Sequence, residues 1–228
     1  MDYEIQGGAM PVVICKLQPG ESIFTESGGM GWMSSNIDMS TNMEGGLFGG
    51  LARKFSGESM FMATYTCTGG VGTIAFPSSF PGSILDFDLK QGETLICQKK
   101  AFLCAERSVK LEVHFRQKLG SGFFGGEGFI MQKVTGPGKV FLEVDGSVIK
   151  QTLQYGEVLK VDPGHIAAFT PAVSFEITMV KGFKNVFFGG EGLFLAQLKG
   201  PGDVWLQTIP MQNVARSLIP FIPTGNNG

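Results

Sequence analysis

Apolar and polar residues alternate along most of this chain, with the two-residue period of β-strands. The stretches "VKLEVHF" (109–115) and "SFEITMV" (174–180) alternate throughout, and "GSILDFDLKQGETLICQ" (82–98) has the same pattern. The stretch "KVFLEVDGSVIKQTLQYGEVLKV" (139–161) alternates around the pair Asp145-Gly146, which favours a tight β-hairpin turn. The pattern predicts many short strands joined by tight turns.

Helical spacing is clearest at the end of the chain. The segment "MQNVARSL" (211–218) contains no glycine or proline and is bounded by Pro210 and Pro220, as is usual for a short helix. It opens a C-terminal tail, 210–228, with apolar residues four and five positions apart. We expect three of its residues to pack against the domain or against a second copy of the chain: Val214, Leu218 and Ile219.

Three sequence signatures recur in the same order. A Gly-Glu pair enters an apolar run at Gly20, Gly92 and Gly156. A second Gly-Glu pair precedes bulky apolar residues at Gly57, Gly126 and Gly190, and a Gly-x-Gly turn begins at Gly70, Gly136 and Gly200. The first and second signatures are 37, 34 and 34 residues apart, and the second and third are 13, 10 and 10 residues apart. This agreement predicts a unit of roughly 65–70 residues that occurs three times.

These patterns predict an all-β protein of three tandem β-rich repeats, at about 1–76, 77–142 and 143–209, which we call copies 1, 2 and 3. Evenly spaced short strands with Gly and Pro turns are typical of sandwiches, jelly rolls and prisms with pseudo-threefold symmetry. A unit of this size buries little core alone. We therefore expect the copies to pack around a shared axis as one β domain over 1–209.

Composition supports this fold and argues against one class of partner. Glycine accounts for 34 of the 228 residues and phenylalanine for 20, as expected for short apolar strands between many turns. The formal net charge is −2 and the sequence pI is about 5.7. Such a balance gives no general attraction to phosphate, so we expect no nucleic-acid partner.

Cysteine usage and the lack of recognisable targeting signals indicate the cellular compartment of the protein. The chain has no N-terminal basic segment followed by an apolar run, and no apolar run of about 18 residues. Its cysteines form no C-x-x-C pair, which favours buried thiols in a reducing compartment. We therefore predict a soluble, cytoplasmic protein. The four cysteines are Cys15, Cys67, Cys97 and Cys104.

Two long runs carry a family resemblance: "GGMGWMSSNIDMSTNMEGGLFGGLARKFSGESMFMATYT" (28–66) and "SFEITMVKGFKNVFFGGEGLFLAQLKGPGDVWLQTIP" (174–210). They resemble the bacterial branch of the mitochondrial biogenesis family named for altered inheritance of mitochondria, whose fold is similar to that of the tryptophan RNA-binding attenuation protein. The resemblance extends over about 3–210. It implies a double-stranded β-helix or jelly-roll unit occurring three times, and a link to inner-membrane organisation through the mitochondrial members. It supplies no catalytic residues.

The sequence offers no recognisable catalytic or metal site. His114 and His165 lie 51 residues apart, unlike the closely spaced histidines of metal centres in jelly rolls. No Gly-x-Ser-x-Gly motif occurs, and the glycine-rich turns lead into strand patterns without the Lys-Ser/Thr of a phosphate-binding loop. We predict no enzymatic activity, no metal and no cofactor.

Three glutamates hold the same place in the second signature of each copy. Carboxylates related by a threefold axis can bind a hard cation such as calcium. The alternative, which we favour, is that each glutamate caps its own turn, away from the other two. These residues are Glu58, Glu127 and Glu191.

Copies 2 and 3 also share the run Phe-Phe-Gly-Gly-Glu-Gly. Its phenylalanines either fill the space where the copies meet, with glycines allowing close approach, or are exposed and bind a ligand or partner. We favour the first interpretation, with Phe48 as the filler from copy 1. The residues concerned are Phe123, Phe124, Phe187 and Phe188.

The functional prediction is a non-catalytic interaction or scaffold module with a protein or a membrane surface as partner. The alternative is a small-ligand-binding module with a pocket between repeats. RNA binding by analogy with the attenuation protein is disfavoured, because the repeated turns carry glutamate, which repels phosphate. Self-association into a homo-oligomer stays open.

Overall fold

The computed structural model describes residues 1–26, 28–41, 62–117, 128–179, 194–218 and 221–222. Over these ranges the chain forms nineteen β-strands and one α-helix, so the all-β prediction is confirmed. Copy 1 contains β1 (Asp2–Gln6), β2 (Val12–Leu17), β3 (Ser22–Glu26), β4 (Trp32–Met33), β5 (Ile37–Thr41), β6 (Met62–Cys67) and β7 (Gly72–Pro77). Copy 2 contains β8 (Gly82–Leu89), β9 (Thr94–Gln98), β10 (Phe102–Glu106), β11 (Lys110–Gln117), β12 (Phe129–Thr135) and β13 (Gly138–Asp145). Copy 3 contains β14 (Val148–Leu153), β15 (Val158–Val161), β16 (Ile166–Phe169), β17 (Ser174–Met179), β18 (Phe194–Lys199) and β19 (Gly202–Gln207), followed by α1 (Met211–Leu218).

The same four antiparallel pairings occur in each of the three copies. In copy 1, β2 pairs with β7, β3 with β6, β5 with β6, and β4 with β7. The corresponding pairs are β8–β13, β9–β12, β11–β12 and β10–β13 in copy 2. In copy 3 they are β14–β19, β15–β18, β17–β18 and β16–β19. Each copy therefore pairs its last strand with an early one, as β2–β7, β8–β13 or β14–β19. Each copy also carries one hairpin, its outer hairpin, at the edge of a sheet: β5–β6, β11–β12 or β17–β18.

Neighbouring copies are joined at two places, which we call seams. At the first seam β10 pairs with β3, and at the second β16 pairs with β9. The seams produce two six-stranded sheets, with strand orders β5-β6-β3-β10-β13-β8 and β11-β12-β9-β16-β19-β14. The corresponding strands of copies 1 and 3, β4 and β15, are not paired with each other in the described part of the chain. They lie instead at the edges of the sheets β1-β2-β7-β4 and β15-β18-β17.

The pair Asp145-Gly146 does not form the predicted β-hairpin turn. Strand β13, which ends at Asp145, pairs with β8 and β10, whereas β14 pairs with β19. Gly146 has a φ of 76° and lies where the chain passes from one sheet into another. The local prediction was wrong because β13 pairs with β8 inside copy 2 and β14 pairs with β19 inside copy 3, so the two strands do not pair with each other.

The core lies between copies. One cluster of buried apolar side chains combines copies 1 and 2 and includes Phe76 and Phe141. A second combines copies 2 and 3 and includes Phe129 and Phe169. The third takes Phe24 from copy 1, several residues from copy 2 and Ala168 from copy 3. None of the three clusters belongs to a single copy, which agrees with the expectation that a copy alone buries too little.

The predicted C-terminal helix is present as α1. Of the residues expected to pack, Val214 is half-buried, whereas Leu218 is 53% exposed. Ile219 lies outside the described residues. No helix in the described ranges is long and apolar enough to cross a membrane.

Candidate functional site

The Gly-Glu pairs of the first signature have a structural role. Glu21, Glu93 and Glu157 each accept a hydrogen bond from the backbone N–H of the residue three positions earlier, at 2.8, 2.9 and 2.8 Å. The glycines before them have φ values of 86°, 77° and 80°, in the left-handed region that favours glycine. The motif is therefore a capped turn that occurs once in each copy, with one oxygen of each carboxylate bonded to the backbone.

All seven residues predicted to bind a ligand or partner lie outside the described residues. They belong to three segments, 42–61, 118–127 and 180–193, which we call the connectors. Each connector joins the two strands of an outer hairpin, so the three hold the same place in the three copies. The predicted residues are Glu58 in the first, Phe123, Phe124 and Glu127 in the second, and Phe187, Phe188 and Glu191 in the third.

A cavity of about 390 Å³ lies where the three copies meet. Copy 1 contributes the connection between β3 and β4, copy 2 the connection between β9 and β10 and the end of β13, and copy 3 the end of β19 with the first residues of α1. Glu26, at the end of β3, pairs with Met62, and Gln98, at the end of β9, pairs with Met131. Because Met62 and Met131 lie near the starts of the strands that leave the connectors, the cavity is at the connector end of these sheets.

Two carboxylates of β13 line this cavity in a partly desolvated state. Glu143 accepts hydrogen bonds from the backbone and hydroxyl of Ser79, at 2.6 and 2.9 Å, and from the hydroxyl of Ser78, at 3.1 Å. Burial nevertheless raises the pKa of Glu143 above its usual value. Burial also raises the pKa of Asp145, although Asp145 accepts a 2.8 Å hydrogen bond from the backbone of Met211 and lies near Lys100. Both groups are therefore held where a cationic partner would be favourable.

The end of β19 ties copies 2 and 3 together beside the cavity. The side chain of Gln207 accepts a hydrogen bond from the backbone of Asp145, at 3.1 Å, and donates one to the carbonyl of Gly164, at 2.7 Å. The contact of Glu143, near the end of β13, with the backbone of Ser79, just after β7, is its counterpart one repeat earlier. The third counterpart is missing, because copy 1 has Pro77 at the corresponding position, directly after Phe76.

Two buried amide atoms in the cavity wall lack hydrogen-bond partners among the described residues: Nε2 of Gln98 and Oε1 of Gln212. Gln98 is only 4% exposed. Buried polar groups are usually satisfied, so each atom offers an unused donor or acceptor to a bound molecule. Lys99 and Lys100 follow Gln98 directly and also line the cavity.

The histidines and cysteines do not form a reactive centre in the described ranges. His165 donates from Nδ1 to the carbonyl of Gln207, at 2.7 Å, and Nε2 faces the amide of Asn213, at 3.4 Å. His114 lies on β11, where partial burial and then Lys133 lower its pKa. The described residues contain no group of three His, Cys, Asp or Glu side chains that could hold a metal ion. All four cysteines are buried and free, and burial raises the pKa of Cys97 to about 12, which keeps it an unreactive thiol.

Sequence reasoning did not identify the cavity. Two weak sequence patterns point to residues of the cavity. The Lys99-Lys100 pair stands out in a chain with few charges, and Glu143 and Gln207 occupy the same position after the third signature. Neither pattern indicates that these residues meet, because the cavity wall extends from Thr25 to Gln212 along the chain.

Comparison with known proteins is consistent with this fold. The structure is similar to the crystal structure of a Streptococcus pyogenes protein, with a TM-score of 0.79 and 26% sequence identity, covering 97% of this chain and 99% of that one. The sequence is also 28% identical over 225 residues to an uncharacterized protein of Streptococcus pyogenes serotype M6, covering 95% of this chain and 89% of the relative. The family model described as mitochondrial biogenesis AIM24 matches residues 3–209. The chain therefore belongs to the AIM24 mitochondrial biogenesis family.

Proposed function

We propose that this protein is a non-catalytic, cytoplasmic interaction module that docks on a membrane surface through its three connectors. The observation that carries the proposal is the equivalent place of the connectors: each joins the strands of an outer hairpin in its own copy. Three equivalent contacts on one body bind a surface far more strongly than one contact alone, because the second and third are intramolecular.

The sequences of the connectors support this role. They contain "GGLFGGL" (45–51), "GFFGGEG" (122–128, ending one residue past the connector) and "NVFFGGEGL" (185–193). Each combines large apolar residues with several glycines and few charges. Apolar residues are also exposed on the outer hairpin strands next to them, with Met39 54% and Val113 40% exposed. Apolar side chains of this kind partition into the boundary between headgroups and acyl chains.

The charge balance predicts how such docking depends on lipid and salt. With a formal net charge of −2, the protein gains little from anionic lipids, whose attraction depends on clusters of basic residues. We therefore expect similar binding to phosphatidylcholine vesicles with and without phosphatidylserine, and little loss when the salt concentration rises.

Vesicle co-sedimentation of the full chain tests the proposal. We expect Phe187→Ser with Phe188→Ser to weaken binding about 10-fold or more, since each buried Phe contributes roughly 1.5–3 kcal/mol. Adding Phe123→Ser and Phe124→Ser should weaken it further. Tyr155→Ser is the matched control, because Tyr155 is 91% exposed and lies on the turn between β14 and β15, outside the connectors.

The same variants distinguish docking from the interpretation that the sequence pattern favours, in which the phenylalanines fill the junction between copies. Docking residues leave the free energy of unfolding within about 1 kcal/mol of the parent, whereas buried phenylalanines cost about 3–5 kcal/mol when truncated. Wild-type protein that stays in the supernatant with every vesicle type, or a quadruple variant that binds like the parent, would contradict membrane docking.

A second candidate function is binding of a small ligand between copies. The observation that favours it is the cavity at the junction of the three copies, with its unpartnered buried amide on Gln98.

A further inference from the structure

The cavity presents groups of both charges on different elements. Lys99 and Lys100 lie on the connection between β9 and β10, next to the buried amide of Gln98. Glu143 and Asp145 lie on β13, Glu26 lies at the end of β3, and Gln212 lies at the start of α1. A molecule in the cavity therefore meets hydrogen-bond donors and cations on one element, and acceptors and carboxylates on three others.

The donor side suits an oxyanion. Nε2 of Gln98 is buried without a partner among the described residues, and leaving such a donor unsatisfied costs free energy that an acceptor on a ligand would restore. Carboxylates and phosphates are the acceptors that also gain from nearby ammonium groups such as those of Lys99 and Lys100.

The acceptor side suits an ammonium group. Oε1 of Gln212 has no partner in the part of the chain that the structure describes, and burial disfavours the charged forms of Glu143 and Asp145. A ligand ammonium supplies N–H donors and a compensating charge at the same time. A bare metal ion is less suitable, because Lys99 and Lys100 repel it and the described residues offer no group of three metal-binding side chains.

We propose that this cavity binds a small zwitterion that carries an oxyanion and a primary ammonium group, as phosphoethanolamine does. Gln98, Lys99 and Lys100 bind the oxyanion, and Gln212, Glu143 and Asp145 bind the ammonium group. The proposal deepens the second candidate function and does not depend on membrane docking, because a free zwitterion and a lipid headgroup present the same chemistry.

Isothermal titration of the full chain with O-phosphoethanolamine tests the site, with inorganic phosphate and ethanolamine as single-charge probes. We expect the zwitterion to bind at least about 10-fold more tightly than either probe. Phosphate alone is repelled by the carboxylates of the cavity, and ethanolamine alone is repelled by its lysines. Equal affinity for phosphate alone would overturn the proposal in favour of an anion site.

Gln98→Leu is the diagnostic variant. Leucine has a similar volume and removes the unsatisfied Nε2 donor, so the melting temperature of the free protein should be unchanged or higher. Binding of phosphoethanolamine should weaken about 10- to 100-fold, the effect of losing a hydrogen bond to a charged group. Gln151→Leu, on the exposed face of β14, is the matched control. A Gln98→Leu variant that binds as tightly as the parent would refute the site.

Binding to vesicles distinguishes a lipid headgroup from a soluble zwitterion as the ligand. Stronger binding to vesicles containing phosphatidylethanolamine than to phosphatidylcholine vesicles, reversed by free phosphoethanolamine, assigns a lipid headgroup. Saturation by free phosphoethanolamine with no preference between the vesicles assigns a soluble zwitterion. Absence of both free binding and vesicle preference overturns the proposal, and it does so whether or not the connectors dock on membranes, because docking alone binds both vesicles equally.

Discussion

At the two seams, strands of neighbouring copies pair through buried residues, whereas the corresponding strands of copies 1 and 3 have no such pairing in the described part of the chain. Cys104 on β10 and Ala168 on β16 are fully buried. Trp32 on β4 pairs with β7 as Ala168 pairs with β19, yet it is 53% exposed. One position in the strand topology is therefore core in two copies and surface in the third.

Residue types on both strands account for this difference. Gly28, Gly29 and Gly31 precede or border β4, and glycine disfavours a strand because it loses the most backbone freedom and offers nothing to pack. On the other strand, Lys160 stands three residues after its Gly-Glu turn, where β3 and β9 have the buried residues Phe24 and Ile96. A repeated sequence therefore does not guarantee equal interfaces, and local opening should begin at β4 and β15.

A buried charge placed at the same topological position in two copies should have the largest effect. Ala168→Glu forces a carboxylate into the second seam without a partner, and we expect it to lower the free energy of unfolding by about 3–5 kcal/mol. Trp32→Glu places the same group at the exposed position of copy 1 and should cost under about 1 kcal/mol. Urea denaturation followed by circular dichroism measures both. Similar costs would show that β4 is as tightly held as β16.

Removing the turn carboxylates should have an intermediate effect that is equal in copies 2 and 3. Glu93→Ala and Glu157→Ala each remove one hydrogen bond to a backbone N–H, and we expect each to cost about 1 kcal/mol in urea denaturation. Glu21→Ala also removes a 3.5 Å contact with the N-terminal ammonium and should cost at least as much. The Glu→Gln variants keep an acceptor at the same place and serve as controls. Equal costs locate the difference between copies at their seams. If Glu157→Ala alone left the free energy of unfolding unchanged, the turn before β15 would also differ from the corresponding turns of the other copies.

Local patterns predicted the strands and turns well, but not their partners. The alternation in "SFEITMV" gave β17, and the Gly-Glu spacing located three turns that the structure repeats with the same hydrogen bond. The Asp145-Gly146 pair misled the prediction because a turn signal describes four residues, whereas β13 finds its partners in β8 and β10. Pairing across seams joins residues such as Phe24 and Ala105, which no local period connects.

The candidate site was beyond sequence reasoning for the same reason. Gln98 reads as the last residue of an apolar strand, and nothing in its neighbourhood indicates that its amide is buried without a partner beside residues of β13 and α1. Glu143 reads as the polar residue of an alternating strand, yet it binds Ser79 of the preceding segment. Burial and the meeting of three copies create the chemistry, and both are tertiary properties.

The smallest expected effect is the one that sharpens the comparison most. In the parent protein, hydrogen exchange should be faster for the amides of β4 and β15 than for those of β16 and β9, because an unpaired edge opens locally without global unfolding.

Lys160→Ile restores the residue type that β9 has at this position. We expect it to change the free energy of unfolding by only about 0.5 kcal/mol, but to slow exchange in both β15 and β4 by favouring contact between their edges. Gln151→Ile, on the exposed face of β14, gains the same strand preference away from these edges and should leave exchange in β4 unchanged. Equal exchange in β4 and β16 of the parent protein would contradict the distinction between the seams and the unpaired edges.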